Sequence, residues 1–593
     1  MSKNKILDFN LLNKIFSLLN KKEKKQFIFL LFCVVVMAIL DLVGIAAIVP
    51  FIGVISSPQI IHENSILSLI YEYFSFKKIN NFILFLGVCF LSLFIVSLLF
   101  RLITNSFMIR WAAMREYSLS ERLFKRYISQ GYSWFLTKNS SSISKSVLSE
   151  VNTCVYLGIF PAIHIISQGV LVLSLLIMIF IANPYIAIFS FIVLILSYFV
   201  LMSFTSNYLA KMGIERLEEN KQRFESLGDA FSAYKLSKLL NKENYFIRKF
   251  SFHSKNYCIK QSNAEIASTG PRYLLEGIIV TCTILGFIYI ILSGKDFLNF
   301  LPLIALYAFA SLRLLPSVQQ IVLYTSKLKF GKASIEFLFN EFNSTNHHEI
   351  PNSNEIISLR DCIRLEKVSF SYEENTLPTL NNISIEIIKN QCVGLIGKSG
   401  SGKTTLVDII IGLLSPSSGR VFIDNKSLDG ENSRIWGRSV GYVPQEIYLS
   451  DKSVASNIAF GTPDDEIDMN AVKIAAKIAE IDDFIEDSLP NAYQTIVGER
   501  GVRLSGGQKQ RIGIARAMYN NPQVLVFDEA TSSLDTETEN VVMESIERLS
   551  KTRTIIIIAH RFSTLTKCDN IFYLEKGKII KQGKYEDLIE SKL

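Results

Sequence analysis

A glycine-rich run in the second half of the chain carries the clearest chemistry. It reads Gly397-Lys398-Ser399-Gly400-Ser401-Gly402-Lys403-Thr404, with an apolar stretch (393–396) before it and a helical stretch (405–413) after it. Glycines let backbone N–H groups close around phosphate oxygens, and a helix N-terminus adds positive potential. The run therefore predicts a phosphate-binding loop in which Lys403 reaches the β- and γ-phosphates and Thr404 ligates Mg²⁺. We expect the nucleotide to contact Gly397, Ser399, Gly400, Gly402, Lys403, Thr404 and Thr405.

Two acidic residues, Asp528 and Glu529, follow a second apolar run at residues 524–527. We expect Asp528 to hold Mg²⁺ through water and Glu529 to act as the general base or to polarise the attacking water. The alternative is two exposed acids after a core strand, which the presence of a phosphate-binding loop disfavours.

The run Leu504-Ser505-Gly506-Gly507-Gln508 indicates which kind of nucleotide-hydrolysing domain this is. Small residues at the start of a predicted helix form an anion site. With this run the chain resembles the ABC ATPases, whose defining feature is the sequence LSGGQ. The resemblance implies that Ser505, Gly506 and Gly507 contact the γ-phosphate held by the loop of a second subunit, so that ATP joins two ATPase domains.

The resemblance extends over residues 361–593 and assigns further roles by position. It implies that Tyr372 stacks on adenine, that Gln445 contacts Mg²⁺ and senses the membrane domain, that Asp535 couples the two sites, and that His560 contacts the γ-phosphate. A histidine after a strand is more often structural, but the surrounding motifs favour the functional role here.

The expected site sets follow from these motifs and from the resemblance. The catalytic set is Glu529, His560 and Gln445, the metal set is Thr404, Gln445 and Asp528, and the cofactors are ATP and Mg²⁺. Because Glu529 and the LSGGQ run are both intact, both sites of a homodimer should hydrolyse ATP.

The first half of the chain is both basic and apolar. Residues 1–330 hold 33 Lys and Arg against 17 Asp and Glu, whereas residues 331–593 hold 29 against 37. The mean hydropathy of +0.29 is too high for a soluble protein of 593 residues. We expect the basic half to meet anionic lipid headgroups. Nucleic acid is not expected as a partner, because the positive excess lies in loops between apolar runs.

Six apolar runs predict six membrane-spanning helices. They cover about residues 27–55, 82–104, 159–182, 184–206, 273–293 and 297–325. A lysine-rich N-terminal stretch predicts a cytoplasmic N-terminus, and long charged connections predict helices that extend below the membrane. We expect an α-helical six-span transmembrane domain at residues 1–330. Its place before an ATPase domain on one chain resembles the ABC exporters, which implies the ABC exporter fold, a domain-swapped dimer. A linker at 331–360 and an α/β P-loop ABC ATPase domain at 361–593 should follow.

Two further features concern residues 57–81 and the cysteines. The segment 57–81 is either a short amphipathic helix at the outer membrane surface or a loop packed on the spans. The eight cysteines form no CxxC pair, so free reduced thiols are expected.

Arginines inside apolar runs are costly and are therefore functional candidates. Arg101, Arg272 and Arg313 could together capture a phosphate-bearing headgroup through charge-assisted hydrogen bonds. The alternatives are snorkelling of Arg101 and Arg272 to the inner interface, and an ion pair between Arg272 and Glu276.

The first half is also similar to bacterial flippases of lipid-linked oligosaccharides, at residues 22–25, 57–81, 271–277 and 306–316. That resemblance implies a polyprenyl-pyrophosphate glycan as cargo, moved from the cytoplasmic to the outer leaflet of a bacterial inner membrane, with the ATPase domain in the cytoplasm. The alternatives are an exporter of drugs, peptides, lipid A or another lipid, and a channel gated by ATP. A soluble ABC ATPase acting on nucleic acid is excluded by the apolar runs.

Overall fold

The chain divides into two compact units in the computed structural model. One comprises Met1–Gln130 and Lys138–His348, and the other comprises Gly131–Thr137 and Glu349–Leu593. The structure describes residues 9–182, 184–292, 297–345, 355–372, 378–498, 501–529, 543–544, 547–559 and 565–590.

The regular elements of the first unit are all helices in its described residues. Its α-helices are α1 Phe9–Leu18, α2 Lys21–Ala46, α3 Ile48–Ser56, α4 Ile60–Glu63, α5 Ser65–Tyr73, α6 Ile79–Ile128, α8 Ser140–Ser144, α9 Val151–Cys154, α10 Phe160–Ala182, α11 Pro184–Ser232, α12 Tyr234–Leu239, α13 Glu243–Leu292 and α14 Phe297–Ser344, with α7 Tyr132–Leu136 belonging to the other unit. Two π-helical turns, Lys145–Glu150 and Val155–Ile159, flank α9. The N-terminus of α2 is fixed by a capping box, in which Asn20 and Glu23 exchange side-chain and backbone hydrogen bonds.

The long helices confirm a transmembrane helical domain. Five helical stretches of the described residues are long and apolar enough to cross a membrane: Lys21–Ser56, Ile79–Ile128, Ser140–Ala182, Ala187–Ser232 and Ala305–Ser344. The predicted fifth span falls on α13, a 50-residue helix that carries Pro271 in its interior. Many outward apolar side chains, such as Phe29 and Phe32, are exposed in the single chain, as a lipid-facing surface requires.

The predicted linker at 331–360 is wrong in its first half. Helix α14 continues to Ser344, and Ile335, Leu338 and Phe342 on it are buried. Their spacing of three and four residues places them on one helix face, so packing extends the helix beyond the apolar span. Residues 346–354, where the polar linker composition lies, fall outside the described residues.

The segment 57–81 contains two short helices, α4 and α5, joined to the neighbouring helices by turns. Helix α5 buries Leu67 and leaves Ile66, Leu69 and Tyr73 largely exposed. Asn64 caps its N-terminus by accepting hydrogen bonds from the backbone N–H groups of Ile66 and Leu67.

A buried ion pair joins three helical segments of the first unit. Arg216 of α11 lies 3.4 Å from Glu150 and donates a 2.6 Å hydrogen bond to Ser334 of α14. Ser334 and Asn220 each donate to the carboxylate of Glu150, at 2.7 and 3.0 Å. Arg216 and Glu150 are 1% and 0% exposed, so the pair survives only because these hydrogen bonds offset its desolvation.

The second unit is an α/β domain with two sheets. Its strands are β1 Cys362–Phe370, β2 Leu380–Ile388, β3 Cys392–Gly397, β4 Ser418–Ile423, β5 Lys426–Ser427, β6 Val440–Val443, β7 Val524–Asp528, β8 Thr554–Ala559, β9 Asn570–Glu575 and β10 Lys578–Gly583. The antiparallel sheet has the order β2-β1-β4-β5, and the six-stranded sheet has the order β10-β9-β3-β8-β7-β6. In the larger sheet only the β9–β10 pair is antiparallel.

The helices of this unit cover both faces of the larger sheet. They are α15 Lys403–Ile410, α16 Gly430–Gly437, α17 Val454–Ile458, α18 Met469–Ile478, α19 Gly506–Met518 and α20 Tyr585–Glu590. Along β7, Leu525 and Phe527 enter one buried cluster while Val524 and Val526 enter another. Burial on both faces is typical of parallel strands and explains the continuous apolar run in the sequence. The parallel strands β3 and β7 therefore end at the same edge of the sheet.

Candidate functional site

The glycine-rich run forms the loop between β3 and α15. Gly400 and Gly402 have φ angles of +77° and +102°, a region that favours glycine. A Cβ on Gly402 would also lie 2.7 Å from Leu380 Cδ2. Ser399 and Gly400 are exposed, whereas Gly397 is the last buried residue of β3. The loop thus needs its glycines for conformation and for space, as predicted from the motif.

Lys403 lies at the start of α15 and turns back onto the loop. Its ammonium group donates to the carbonyl oxygens of Gly397 and Lys398, at 2.8 and 3.2 Å. Burial lowers the pKa of Lys403, while the charges of Glu529 and Asp528 oppose this effect. The loop therefore holds one positive charge within electrostatic range of both acids.

Asp528 is buried at the end of β7 and is held by a tyrosine. The hydroxyl of Tyr442, on β6, donates a 3.2 Å hydrogen bond to Asp528 Oδ2. Burial, and then the charge of Asp528, raises the pKa of Tyr442, which keeps its hydroxyl protonated as a donor. Burial and the charge of Asp528 also raise the pKa of Asp408, on α15, to about 6.

Glu529 follows directly and is half-buried at the same edge. Its backbone has a φ of +51°, and its N–H donates to Ile558 of β8. Gln445 Nε2 donates a 2.8 Å hydrogen bond to Glu529 Oε2. The structure thus brings together a candidate base and a candidate metal ligand that lie far apart in the sequence.

Tyr372 lies beside α15, the helix that follows the glycine-rich loop. Its hydroxyl is 2.9 Å from Thr405 Oγ1, and half of the side chain is exposed. A ring that is anchored at its hydroxyl and open on its face can stack on a planar base. Thr405 is buried, while Thr404 is exposed at the loop.

Ser505 caps the N-terminus of α19. The backbone N–H of Gln508 donates to Ser505 Oγ at 3.3 Å, and Ser505 N–H donates to Gln508 Oε1 at 2.8 Å. Gly506 and Gly507 form the first turn, so free backbone N–H groups and the helix dipole face outward there. This arrangement suits an anion from another molecule.

The residues present fit a magnesium nucleotide. Thr404, Gln445 and Asp528 offer hydroxyl, carbonyl and carboxylate oxygens, and Mg²⁺ prefers few protein ligands together with phosphate oxygens. Among the described residues no cluster of three His, Cys, Asp or Glu side chains could hold a metal alone. The hydroxyl of Ser401 is buried in the loop without a partner there. Asp535 and His560, two further predicted site residues, lie outside the described residues.

In the first unit, two of the three predicted substrate arginines lie near the same carboxylate, that of Asp41. Arg313 lies 3.9 Å from the carboxylate of Asp41, and Ser97 also donates a hydrogen bond to that carboxylate. Arg101 lies within electrostatic range of both Arg313 and Asp41. Arg272 is exposed on α13, and no ion pair or hydrogen bond among the described residues joins it to this group, so the three-arginine site stays a prediction. Within the described part of α13, no ion pair joins Arg272 to Glu276.

Two family models match the chain. One, an ABC transporter transmembrane region, covers residues 27–317, and the other, an ABC transporter model, covers residues 380–532. The chain belongs to the ABC transporters. Its first unit is the transmembrane domain of this family and its second unit is the ABC ATPase domain.

A solved structure supports the exporter fold. The structure of a bacterial Atm1-family ABC exporter with ATP bound aligns with a TM-score of 0.77 over 94% of this chain and 96% of that chain. The sequence identity is 22%, so this likeness concerns the fold alone.

Curated relatives match over part of their length. The leukotoxin translocation ATP-binding proteins LktB of Pasteurella haemolytica-like sp. (strain 5943B) and of Mannheimia glucosida are each 42% identical over 229 residues. That of Mannheimia haemolytica is 41% identical over 233 residues. The matches cover 39% of this ABC transporter and 32% of each relative. None of these three is described as a flippase of lipid-linked oligosaccharides, so they add no support for that cargo.

The sequence motifs did not point to Tyr442 or to the Asp41 pairing with Arg313. Tyr442 lies on β6, the strand that pairs with β7, three residues before Gln445. Its closeness to Gln445 in the sequence was the signal that could have marked it as a site residue. Asp41 was visible as a charge inside an apolar run, but its partner is set by helix packing.

Proposed function

We propose that this ABC transporter is an ATP-driven exporter of a bacterial cytoplasmic membrane, working as a homodimer, with the ATPase domain in the cytoplasm. The observation that supports ATP hydrolysis is the convergence of Lys403, Asp528 and the Gln445–Glu529 pair at one sheet edge. Lys403 would bind phosphate oxygens and Asp528 would orient Mg²⁺. Glu529, aligned by Gln445, would take the proton of the attacking water. The domain limits we propose are 1–344 for the membrane domain and 361–593 for the ATPase domain.

In the proposed homodimer, each chain supplies an anion-binding helix N-terminus to the glycine-rich loop of the other chain. The N-terminus of α19, with Ser505, Gly506 and Gly507, would meet the γ-phosphate bound to the glycine-rich loop of the second copy. Asp535 and His560 keep their proposed roles, in coupling the two sites and at the γ-phosphate.

For the cargo we propose a polyprenyl-pyrophosphate-linked oligosaccharide, moved from the cytoplasmic to the outer leaflet. Arg101 and Arg313 bring two positive charges beside the single carboxylate of Asp41, within stretches of their helices that are otherwise mostly apolar. An excess positive charge at that depth is costly, and a pyrophosphate would offset it through charge-assisted hydrogen bonds.

A second candidate cargo is a polypeptide. The identity of about 42% to leukotoxin translocation proteins favours it. The two cargoes differ in charge and in size, so one assay can separate them.

The test is ATPase activity of the full-length protein in liposomes. The probes are undecaprenyl-pyrophosphate oligosaccharide and an unfolded leukotoxin polypeptide. The variants are Glu529→Gln, Arg313→Ala and, as a matched control, Arg272→Ala, whose side chain is exposed and has no contact with Arg101 or Arg313 among the described residues.

We expect the glycolipid to stimulate hydrolysis by the wild type and by Arg272→Ala, but not by Arg313→Ala. Stimulation by the polypeptide alone would replace the glycolipid by the second candidate. Loss of basal hydrolysis in Arg313→Ala would instead indicate a structural role for that arginine.

A further inference from the structure

A polar cavity lies among the apolar helices of the membrane domain. Its volume is about 380 Å³, and α2, α6, α10 and α14 all contribute to its wall. The polar part of the wall is formed by Arg101, Asn105, His164, Ser167, Gln168 and Gln320. This size is within the usual range of roughly 300–1,000 Å³ for small-molecule sites.

Three neighbouring buried side chains on α10 carry polar atoms that lack a hydrogen-bond partner among the described residues. His164, Ser167 and Gln168 are 5%, 0% and 5% exposed. Both ring nitrogens of His164, the hydroxyl of Ser167 and Oε1 of Gln168 have no partner within the described residues. Burying a polar group without a hydrogen-bond partner is unfavourable, so four such atoms together are unusual unless something binds to them.

Aromatic contacts hold the imidazole in place. The His164 ring stacks on Tyr324 with centroids 4.6 Å apart and planes 22° apart, and the edge contact with Phe160 is 4.4 Å. The ring therefore presents its nitrogens in a fixed direction instead of turning to find a partner elsewhere. This is a preorganised site, which lowers the entropic cost of binding.

The types of these atoms limit the ligand. Gln168 Oε1 accepts hydrogen bonds and cannot donate them, so an oxyanion alone leaves it unsatisfied. A neutral imidazole needs one donor and one acceptor, and a serine hydroxyl can do both. Sugar hydroxyls both donate and accept, and so match this mixed set. Arg101, at the same wall, supplies a positive charge for an adjoining phosphate.

We propose that this cavity, defined by His164, Ser167 and Gln168 with Arg101 at its wall, binds a sugar residue next to the pyrophosphate of the cargo and makes the transporter select glycosylated lipid over bare lipid. The inference rests on the proposed glycolipid cargo and adds the residues that bind its carbohydrate part. His164, Ser167 and Gln168 are specificity-determining residues in this proposal, whereas the pair Arg101 and Arg313 binds charge.

The experiment compares two lipids on the full-length protein in nanodiscs. The probes are undecaprenyl-pyrophosphate oligosaccharide and undecaprenyl-pyrophosphate without sugar, and the dissociation constant of each is measured together with the melting temperature of the protein. The variants are Ser167→Ala, Gln168→Leu and their combination. The matched control is Ser174→Ala, two turns further along α10, whose hydroxyl already donates to Leu171 at 2.8 Å.

We expect the wild type and Ser174→Ala to bind the glycosylated lipid about tenfold more tightly than the bare lipid, or better. In the double variant this ratio should fall towards one, while the melting temperature stays equal or rises, because buried groups without partners are removed. If the double variant fails to fold, Ser167→Ala alone, which removes a single oxygen, should still lower the ratio.

Three results would overturn the inference. An unchanged ratio in the folded variants would mean that the cavity holds water only. Equal binding of both lipids by the wild type would remove the sugar site but leave the pyrophosphate cargo standing. Binding of neither lipid would remove the proposed cargo and the sugar site together.

Discussion

Gln445 donates a 2.8 Å hydrogen bond from its side-chain amide to Oε2 of Glu529. Gln445 follows β6 and Glu529 follows β7, and these strands are parallel neighbours in the larger sheet. The bond therefore links two loops at the edge where the glycine-rich loop also lies. Since Glu529 sits at a φ of +51°, the bond also fixes a carboxylate on an unusual backbone.

Replacing the candidate base should separate binding from hydrolysis. In Glu529→Gln we expect kcat for ATP hydrolysis to fall by roughly 100-fold or more, because general-base catalysis contributes about 10²–10⁴. ATP binding, measured with a fluorescent analogue, should persist. Glu446→Gln, which removes an exposed charge next to Gln445, is the control and should keep its activity. Normal turnover in Glu529→Gln would remove that residue from the mechanism.

The Tyr442 hydroxyl should tune magnesium affinity through Asp528. Tyr442→Phe removes the 3.2 Å hydrogen bond that orients this carboxylate. Losing such a partner typically costs about 10–100-fold in metal affinity, so the Mg²⁺ concentration for half-maximal ATPase activity should rise. Tyr519→Phe is the matched control, because it also removes a tyrosine hydroxyl with one hydrogen bond: the hydroxyl accepts from the backbone N–H of Asp468 at 3.2 Å. Equal Mg²⁺ dependence in both variants would contradict the orienting role.

Asp424 should give the ATPase domain a stability that acid removes. Burial would raise its pKa, but hydrogen bonds from the backbone N–H groups of Asp361, Arg360 and Cys362 outweigh this and hold it below its usual value. A depressed pKa stabilises the fold above the unfolded value of about 4 and loses this effect as pH falls through the folded value.

Asp424→Asn tests this sign, because asparagine keeps the shape and tolerates the φ of +55°. We expect the variant to be less stable at pH 7 by less than about 1 kcal/mol, because solvent screens this partly exposed carboxylate; a lower melting temperature would show the loss. The difference should shrink as pH falls below about 4. If the difference in melting temperature between the wild type and Asp424→Asn does not change with pH, the charge of Asp424 is not the cause of the lost stability.

The buried Arg216–Glu150 pair should be needed for the stability of the helical unit. In Arg216→Met we expect a loss of about 3–5 kcal/mol, because Glu150 is left as an uncompensated buried charge. Lys211→Met, on the same helix, breaks an exposed 3.8 Å pair with Glu215 and should change stability by less than about 1 kcal/mol. Thermal aggregation in detergent measures both. Similar melting temperatures for the two variants would contradict the structural role of the buried pair.

The sequence by itself determined the two-domain architecture and the phosphate-binding loop. Local sequence patterns predict these features: apolar runs long enough to span a membrane, and glycines at fixed spacing before Lys403. The apolar residues before Asp528 likewise predicted a buried strand, and β7 has all of them buried. Such patterns depend on neighbours in the chain, so no tertiary contact is required to read them.

Only the tertiary structure decided which distant residues meet. The pairing of Arg313 with Asp41, the position of Tyr442 on Asp528, and the buried polar atoms of His164 and Gln168 depend on how helices and strands pack. Periodicity shows which face of an element is apolar, but it does not identify the partner on another element. The same reason explains α14, which packing extends through residues that look like a linker.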